Sequence, residues 1–155
     1  MGKSGYKWMK NRNSRIVKID EKGRVFLPTS IRRGLFYGEK IILTTGFEPC
    51  IYAFSASNWE KLKQEIGVIT PFSKPEIKNT YRHLQGNSEE IELDSQGRFL
   101  IPGHLFEYAR LKDRVFFIKM DTWFELWNPH VFAEYQKKHP VNAEWIYKND
   151  GNQIS

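Results

Sequence analysis

Two acid–base pairs stand out by residue type and spacing. Asp20 precedes Arg24 across Gly23, and Asp94 precedes Arg98 across Gly97. A carboxylate and a guanidinium four apart across a glycine turn can meet. The pairing fixes the Arg fork and presents its remaining donors outward. Such a fork suits a phosphate or the O6/N7 edge of guanine. Lys22 and Gln96 sit at the tips of the two turns. Lysine takes phosphate or guanine, and glutamine reads adenine. The bland alternative is structural: Asp caps the turn and Arg closes it with a surface ion pair worth ~0–1 kcal/mol. The residues alone leave both readings open.

The pairs belong to an internal repeat. VKIDEKGRVFLP over 17–28 matches IELDSQGRFLIP over 91–102 at an offset of 74. Val17 falls on Ile91, Ile19 on Leu93, Leu27 on Ile101 and Pro28 on Pro102. Glu39-Lys40-Ile41 falls on Asp113-Arg114-Val115, and after one gap Ile51 to Phe54 falls on Phe124 to Trp127. One supersecondary unit is used twice, so whatever Arg24 does, Arg98 does again.

The elements that hold these turns follow from periodicity and punctuation. Arg15 to Asp20 alternates as a short strand. Asp20 to Gly23 is a turn, and Val25 to Leu27 a second strand, the two forming a hairpin-like corner. Pro28 ends it, and Thr29 or Ser30 can cap a helix of about two turns ending before Gly38. Strands are expected over 40–45 and 50–54 around a turn at Gly46. Ser57 and Glu60 have capping-box spacing for a helix to about Ile66, with Trp59, Leu62 and Ile66 on one face. Ser73-Lys74-Pro75-Glu76 starts a connector helix to about Gln85, striped by Ile77, Tyr81 and Leu84. The second copy repeats the order: strands at 90–94 and 98–101, a short helix at 103–110, strands at 114–120 and 123–127. Asn128-Pro129 then starts a helix to about Lys138.

Four short strands and two short helices cannot close a core alone. The fold class expected is therefore mainly β with short α-helices (α+β), two copies packed with pseudo-twofold symmetry as one β-barrel. Phe26, Phe47, Phe99, Phe116 and Phe117 supply its core or its interfaces. The division runs as a flexible basic arm (1–14), first repeat (15–66), connector with helix (67–88), second repeat (89–138) and polar tail (139–155).

Composition excludes several classes. No apolar run approaches the ~20 residues a membrane span needs, and the basic N-terminus lacks the apolar stretch of a signal peptide. A cytoplasmic protein without membrane contact is expected. Cys50 is the only cysteine, so neither an intrachain disulfide nor a cysteine cluster for a metal can form. His83, His104, His130 and His139 show no ligand-pair spacing, and no metal or cofactor is expected. There is no G-x-S-x-G, H-E-x-x-H or P-loop. Asp20 and Asp94 make a poor acid–base pair, because each has an Arg that lowers its basicity. The reading is not an enzyme and has no small-molecule substrate.

Charge is more telling by position than by sum. Lys3, Lys7, Lys10, Arg12, Arg15 and Lys18 stand in the first 19 residues with no acid, and they equal the whole net charge of +6. A basic arm on a neutral body favours a polyanion partner.

DEKGRVFLP with TTGFEPCIYAF, then YRHLQGNSEEIELDSQGRFLIP with LKDRVFFI and FELW, resembles the MraZ family of transcriptional regulators. The resemblance covers roughly 15–135 in register; members usually begin almost at the first strand. It implies two AbrB-like (SpoVT-AbrB) swapped-hairpin halves fused in one chain and assembly into a homo-oligomeric ring. It implies binding to short direct repeats in double-stranded promoter DNA upstream of the division and cell-wall gene cluster, typically as a repressor. A nucleoid-associated location goes with that. Carried over to this chain, the D-x-x-x-R residues are Asp20 with Arg24 and Asp94 with Arg98. Arg15, Lys18, Lys22 and Gln96 complete the expected DNA-binding set. The rival expectation is an antitoxin-like ring scaffold that binds a protein through exposed Trp123, Phe124 and Trp127. RNA binding ranks below both, for want of an aromatic stacking motif.

Overall fold

The computed structural model describes residues 13–33, 40–144 and 148. The basic residues at 3, 7, 10 and 12, the stretch 34–38 over which the first short helix is expected to end, and most of the polar tail lie outside them.

Eight strands and five helices are described. In chain order they are β1 (Ser14–Lys18), β2 (Arg24–Phe26), α1 (Thr29–Arg32), β3 (Ile41–Thr45), β4 (Ile51–Ser55) and α2 (Ala56–Ile66). There follow α3 (Pro75–Gly86), β5 (Glu89–Ile91), β6 (Arg98–Leu100), α4 (Gly103–Tyr108), β7 (Arg114–Lys119), β8 (Phe124–Trp127) and α5 (Pro129–Lys138). Six strands form an antiparallel sheet in the order β1-β7-β8-β4-β3-β5, and β2 and β6 pair as a separate two-stranded ribbon.

The mainly β class with short helices is the one found, but the ladder is open. Among the described residues β1 and β5 are its edges, and the ribbon strands pair only with each other. The hairpin-like corner expected of β1 and β2 is replaced by an exchange. β1 pairs with β7 of the second copy, and β5 pairs with β3 of the first. The registers match across the repeat: Val17 lies opposite Val115, and Ile91 opposite Ile41. The physical reason is burial. Val25 and Phe99 face the sheet only if each turn folds its second strand over the sheet rather than along it.

Two apolar layers result. Between sheet and ribbon lie Ile19, Val25, Leu27, Leu43, Phe99, Leu105, Val115, Phe117 and Leu126. On the other face Ile42, Tyr52, Phe54, Phe116 and Trp127 pack against Trp59 of α2 and Leu84 of α3, with Phe132 of α5 beside them. Covering both faces explains why β3, β4 and β8 are buried along their whole length, and why their sequences run apolar rather than alternating. Of the five phenylalanines, Phe99, Phe116 and Phe117 are core, whereas Phe26 and Phe47 are exposed.

The helix starts follow their caps. Asn128 Oδ1 accepts from the N–H groups of His130 and Val131, as Asn-Pro predicts. The cap of α2 is Ser55 and not Ser57: Ser55 Oγ accepts from Asn58 N at 3.1 Å, because β4 runs straight into the helix. Neither Thr29 nor Ser30 caps α1; Pro28 holds that position with no side-chain bond. Ser73 leaves α3 uncapped and accepts from Thr70 N instead. Of the α3 stripe, Leu84 is buried and Ile77 is exposed.

Candidate nucleic-acid interface

The two turns have the same construction to within a tenth of an ångström or so. Asp20 Oδ1 accepts from Lys22 N and Arg24 N, both at 2.9 Å. Asp94 Oδ1 accepts from Gln96 N and Arg98 N, both at 2.9 Å. The second oxygen accepts from the arginine Nε, at 2.8 Å for Arg24 and 2.9 Å for Arg98. Gly23 and Gly97 close the turns at φ +84° and +81°, the left-handed region that favours glycine. The backbone N–H of each arginine is the largest cause that holds its aspartate below the ordinary value of 3.8; the Arg24 guanidinium follows at Asp20, and the Gln96 N–H and then the Arg98 guanidinium at Asp94. Both aspartates are therefore fixed anions, unsuited to acid catalysis.

Because each carboxylate takes Nε, the two Nη groups of each arginine remain for other work. They make no hydrogen bond or ion pair with a described residue. The antiparallel pairing then sets the turns side by side: Arg24 lies opposite Leu100, Val25 opposite Phe99, and Phe26 opposite Arg98. Leu27 N bonds to Gly97 O at 3.0 Å and Ile101 N to Gly23 O at 3.2 Å, tying each strand to the other turn. With a side-chain period of two, Val25 and Phe99 point to the core. Arg24, Phe26, Arg98 and Leu100 share the outer face. Phe26 is 51% exposed and Leu100 58%, and the Arg98 guanidinium sits 5.8 Å above the Phe26 ring.

The expected residues are not all brought together. Lys22 and Gln96 are exposed at the turn tips. Arg15 and Lys18 are exposed on β1 but on opposite faces. Arg15 pairs with Phe117, whose side chain faces the ribbon layer; Lys18 pairs with Arg114, on the face of Ile16 and Phe116. Lys18 thus points away from the ribbon. Sequence reasoning missed Phe26 and Leu100 as outer-face residues, although the alternation Arg24-Val25-Phe26 carries that signal. It also missed Arg32, whose Nη1 fills the place where a Cβ on Gly97 would stand. Nothing in the local sequence marks that approach, which crosses from α1 of one copy to the turn of the other.

The expectation of an exposed aromatic patch is overturned. Phe124 and Trp127 are buried and Trp123 half-buried, because α5 and the sheet cover β8.

No helix of the described residues is long and apolar enough to cross a membrane. The antitoxin-like MraZ protein family model matches the chain twice, over residues 12–82 and 84–145. The chain is 36% identical over 134 residues to the transcriptional regulator MraZ of Caldanaerobacter subterraneus subsp. tengcongensis, covering 86% of this chain and 92% of that one. It is 37% identical over 128 residues to the transcriptional regulator MraZ of Acetivibrio thermocellus, covering 83% and 87%. A third, from Pelotomaculum thermopropionicum, is 36% identical over 128 residues, covering 83% and 86%. With both copies of the turn inside the matched segments, the chain belongs to the MraZ family.

Proposed function

We propose that this protein is a DNA-binding transcriptional regulator whose reading head is the β2–β6 ribbon. The observation that carries the reading is the pair of carboxylate-braced arginines on one outer face, each with Nη groups that make no hydrogen bond or ion pair among the described residues. A two-stranded ribbon fits the major groove, about 12 Å wide. There the two forks suit guanine edges or phosphates, and Phe26 and Leu100 suit thymine methyl groups. Lys22 and Gln96 at the tips add one contact each, and Arg15 and the basic residues at 1–14 add charge toward phosphate. Lys18 has a lesser part. The names of the relatives support regulation of transcription.

The finer reading is a cytoplasmic, nucleoid-associated repressor of the division and cell-wall gene cluster. It assembles as a ring and reads short direct repeats through two D-x-x-x-R turns per subunit. Direct repeats suit a head-to-tail cyclic assembly, since each subunit meets DNA in the same orientation. Several weak turns on one DNA gain 10²–10⁴ through effective concentration, roughly. Residues 15–66 and 89–138 are the working repeat units, joined by 67–88 and flanked by 1–14 and 139–155.

The test is binding to direct repeats from the gene's own upstream region against scrambled DNA at physiological salt. Preference for the repeats is expected; equal affinities overturn specific regulation. Removing residues 1–12, which leaves Ser14 and the rest of β1 in place, is expected to weaken binding to every sequence. It should also flatten the salt dependence by about 0.9 log unit for each phosphate no longer neutralised.

A further inference from the structure

On the helix-covered face of the sheet, far in sequence from either turn, three side chains converge. One carboxylate oxygen of Glu48, the Sγ of Cys50 and one carboxylate oxygen of Glu125 all lie within 4.8 Å of one another. Cys50 is fully buried and Glu125 only 7% exposed. Glu48 is half-buried in the turn between β3 and β4, next to the exposed Phe47.

The site is built. The Glu125 carboxylate accepts from Trp127 Nε1 at 2.9 Å on one oxygen and from Trp123 Nε1 at 3.1 Å on the other. The Tyr52 hydroxyl donates to Glu48 Oε1. These bonds orient both carboxylates, yet each ionised oxygen keeps a lone pair to give. The thiol is different: it is buried, aimed at both carboxylates, and makes no hydrogen bond among the described residues. Gly46 makes room for it, since a Cβ there would stand 2.9 Å from Sγ and 2.8 Å from Tyr52 Cε1. Neither glutamate has a cationic side chain within ion-pair distance among the described residues. A buried carboxylate such as Glu125 with no cation beside it is costly, and a divalent ion removes that cost.

We propose that Glu48, Cys50 and Glu125 bind a thiophilic divalent cation of the zinc class, one per chain. One sulfur and two oxygens match the mixed ligand sets zinc accepts, with a water completing four-coordination. Around zinc the ligand atoms stand about 3.5 Å apart, so the three close in by roughly an ångström as the ion enters. The thiol proton leaves to solvent, an Sγ–metal bond forms, and no electrons are exchanged. The ion ties the β3–β4 turn to β8, a link between the two copies. Chain order hides the site, because Glu125 is 75 residues beyond Cys50 and no spacing rule joins them.

The test is titration of the chelator-treated full-length protein with Co²⁺, read as the thiolate-to-cobalt charge-transfer band in the near ultraviolet. One equivalent is expected to saturate the band, and Zn²⁺ to displace it. Cys50→Ser is expected to abolish the band, and Glu48→Gln to weaken affinity tenfold or more, about the loss that supporting residues alone produce. Circular dichroism checks each fold. Should Cys50→Ser unfold, Glu48→Gln, altered only at a half-exposed turn, decides. Absence of the sulfur band in the native protein overturns the site, as does equal affinity in the native protein and Glu48→Gln. DNA binding plays no part in this readout.

Discussion

The ribbon and the centre of the sheet lie on the same pseudo-twofold axis and treat it oppositely. In the ribbon, equivalent residues do equivalent things: Arg24 and Arg98 each pair with their own aspartate and each face an apolar residue of the other strand. At the sheet centre β4 meets β8, and Tyr52 lies opposite Glu125, its own counterpart in the repeat. Cys50 corresponds likewise to Trp123, and Phe54 to Trp127. A strict repeat would set two like carboxylates side by side there, which is destabilising. On the exposed ribbon an arginine pair is screened by water and tolerated. The burial of the centre obliges the halves to diverge, while the exposed turns are free to remain alike. Identity between copies therefore marks what local turn chemistry fixes, and difference marks what packing fixes.

The largest expected effect separates the two regions by stability. Trp127 is 2% exposed, packs on Phe132 and Tyr135, and donates to Glu125. Trp127→Ala is expected to cost about 3–5 kcal/mol in urea unfolding, with part of that from the Glu125 oxygen left without its donor. The molecules that remain folded should bind DNA as before. Impaired binding at full helical and sheet signal would show that the sheet centre sets the ribbon's shape.

Next come the arginines, with the opposite signature. Arg24→Ala and Arg98→Ala are each expected to reduce discrimination for the promoter repeats by about 1–3 kcal/mol, roughly 5- to 150-fold. Stability should change by no more than ~1 kcal/mol, because the ion pairs are partly exposed. Near-equal losses in a gel-shift or anisotropy assay would confirm that the symmetry of the ribbon is functional. A variant that unfolds would assign that arginine to the fold.

This contrast also explains what could be read from the chain. Both turns were legible because every bond in them joins residues two to four apart, so type and spacing suffice. Strand positions came out within a residue or two, except that β5 stops at Ile91, three short of the expected end at 94, since alternation and Gly or Pro punctuation are local. The partners of β1 and β2 were not legible from local pattern, because the exchange depends on which faces Val25 and Phe99 can bury. The Ser57 cap failed for a related reason: the end of β4 fixes where α2 begins. Trp123, Phe124 and Trp127 looked like an interface only because their cover, α5 over Trp127 and the ribbon-side layer around Phe124, is a tertiary fact. Arg32 over Gly97 and the Glu48–Cys50–Glu125 convergence are invisible for the same reason.

The glycines test how alike the turns are. Gly23→Ala and Gly97→Ala each place a side chain at positive φ, costing about 1–2 kcal/mol. A Cβ at Gly23 meets only Leu100 Cδ1 at 3.5 Å, an ordinary contact. At Gly97 it must also displace the Arg32 guanidinium. Thermal melts should show both variants destabilised, Gly97→Ala by a little more. Replacing Arg32 by alanine beforehand should erase the difference. A gap that survives that change would place the asymmetry in the backbone rather than in the crossing side chain.

The smallest expected effect is a titration. Both aspartates are held below 3.8, chiefly by the arginine backbone N–H and secondarily by other bonds that include the guanidinium. Their folded values lie under the unfolded one, so the stabilisation is full above 3.8 and disappears as pH falls through the folded values. It therefore contributes nothing to pH dependence between 5 and 8. Carboxyl carbon shifts in NMR should give both midpoints below 3.8. Arg24→Ala keeps its backbone N–H, so the Asp20 midpoint should rise part of the way and stop short of 3.8, while Asp94 stays put. If both aspartates move together, the ribbon couples its two turns, and each D-x-x-x-R unit ceases to be independent.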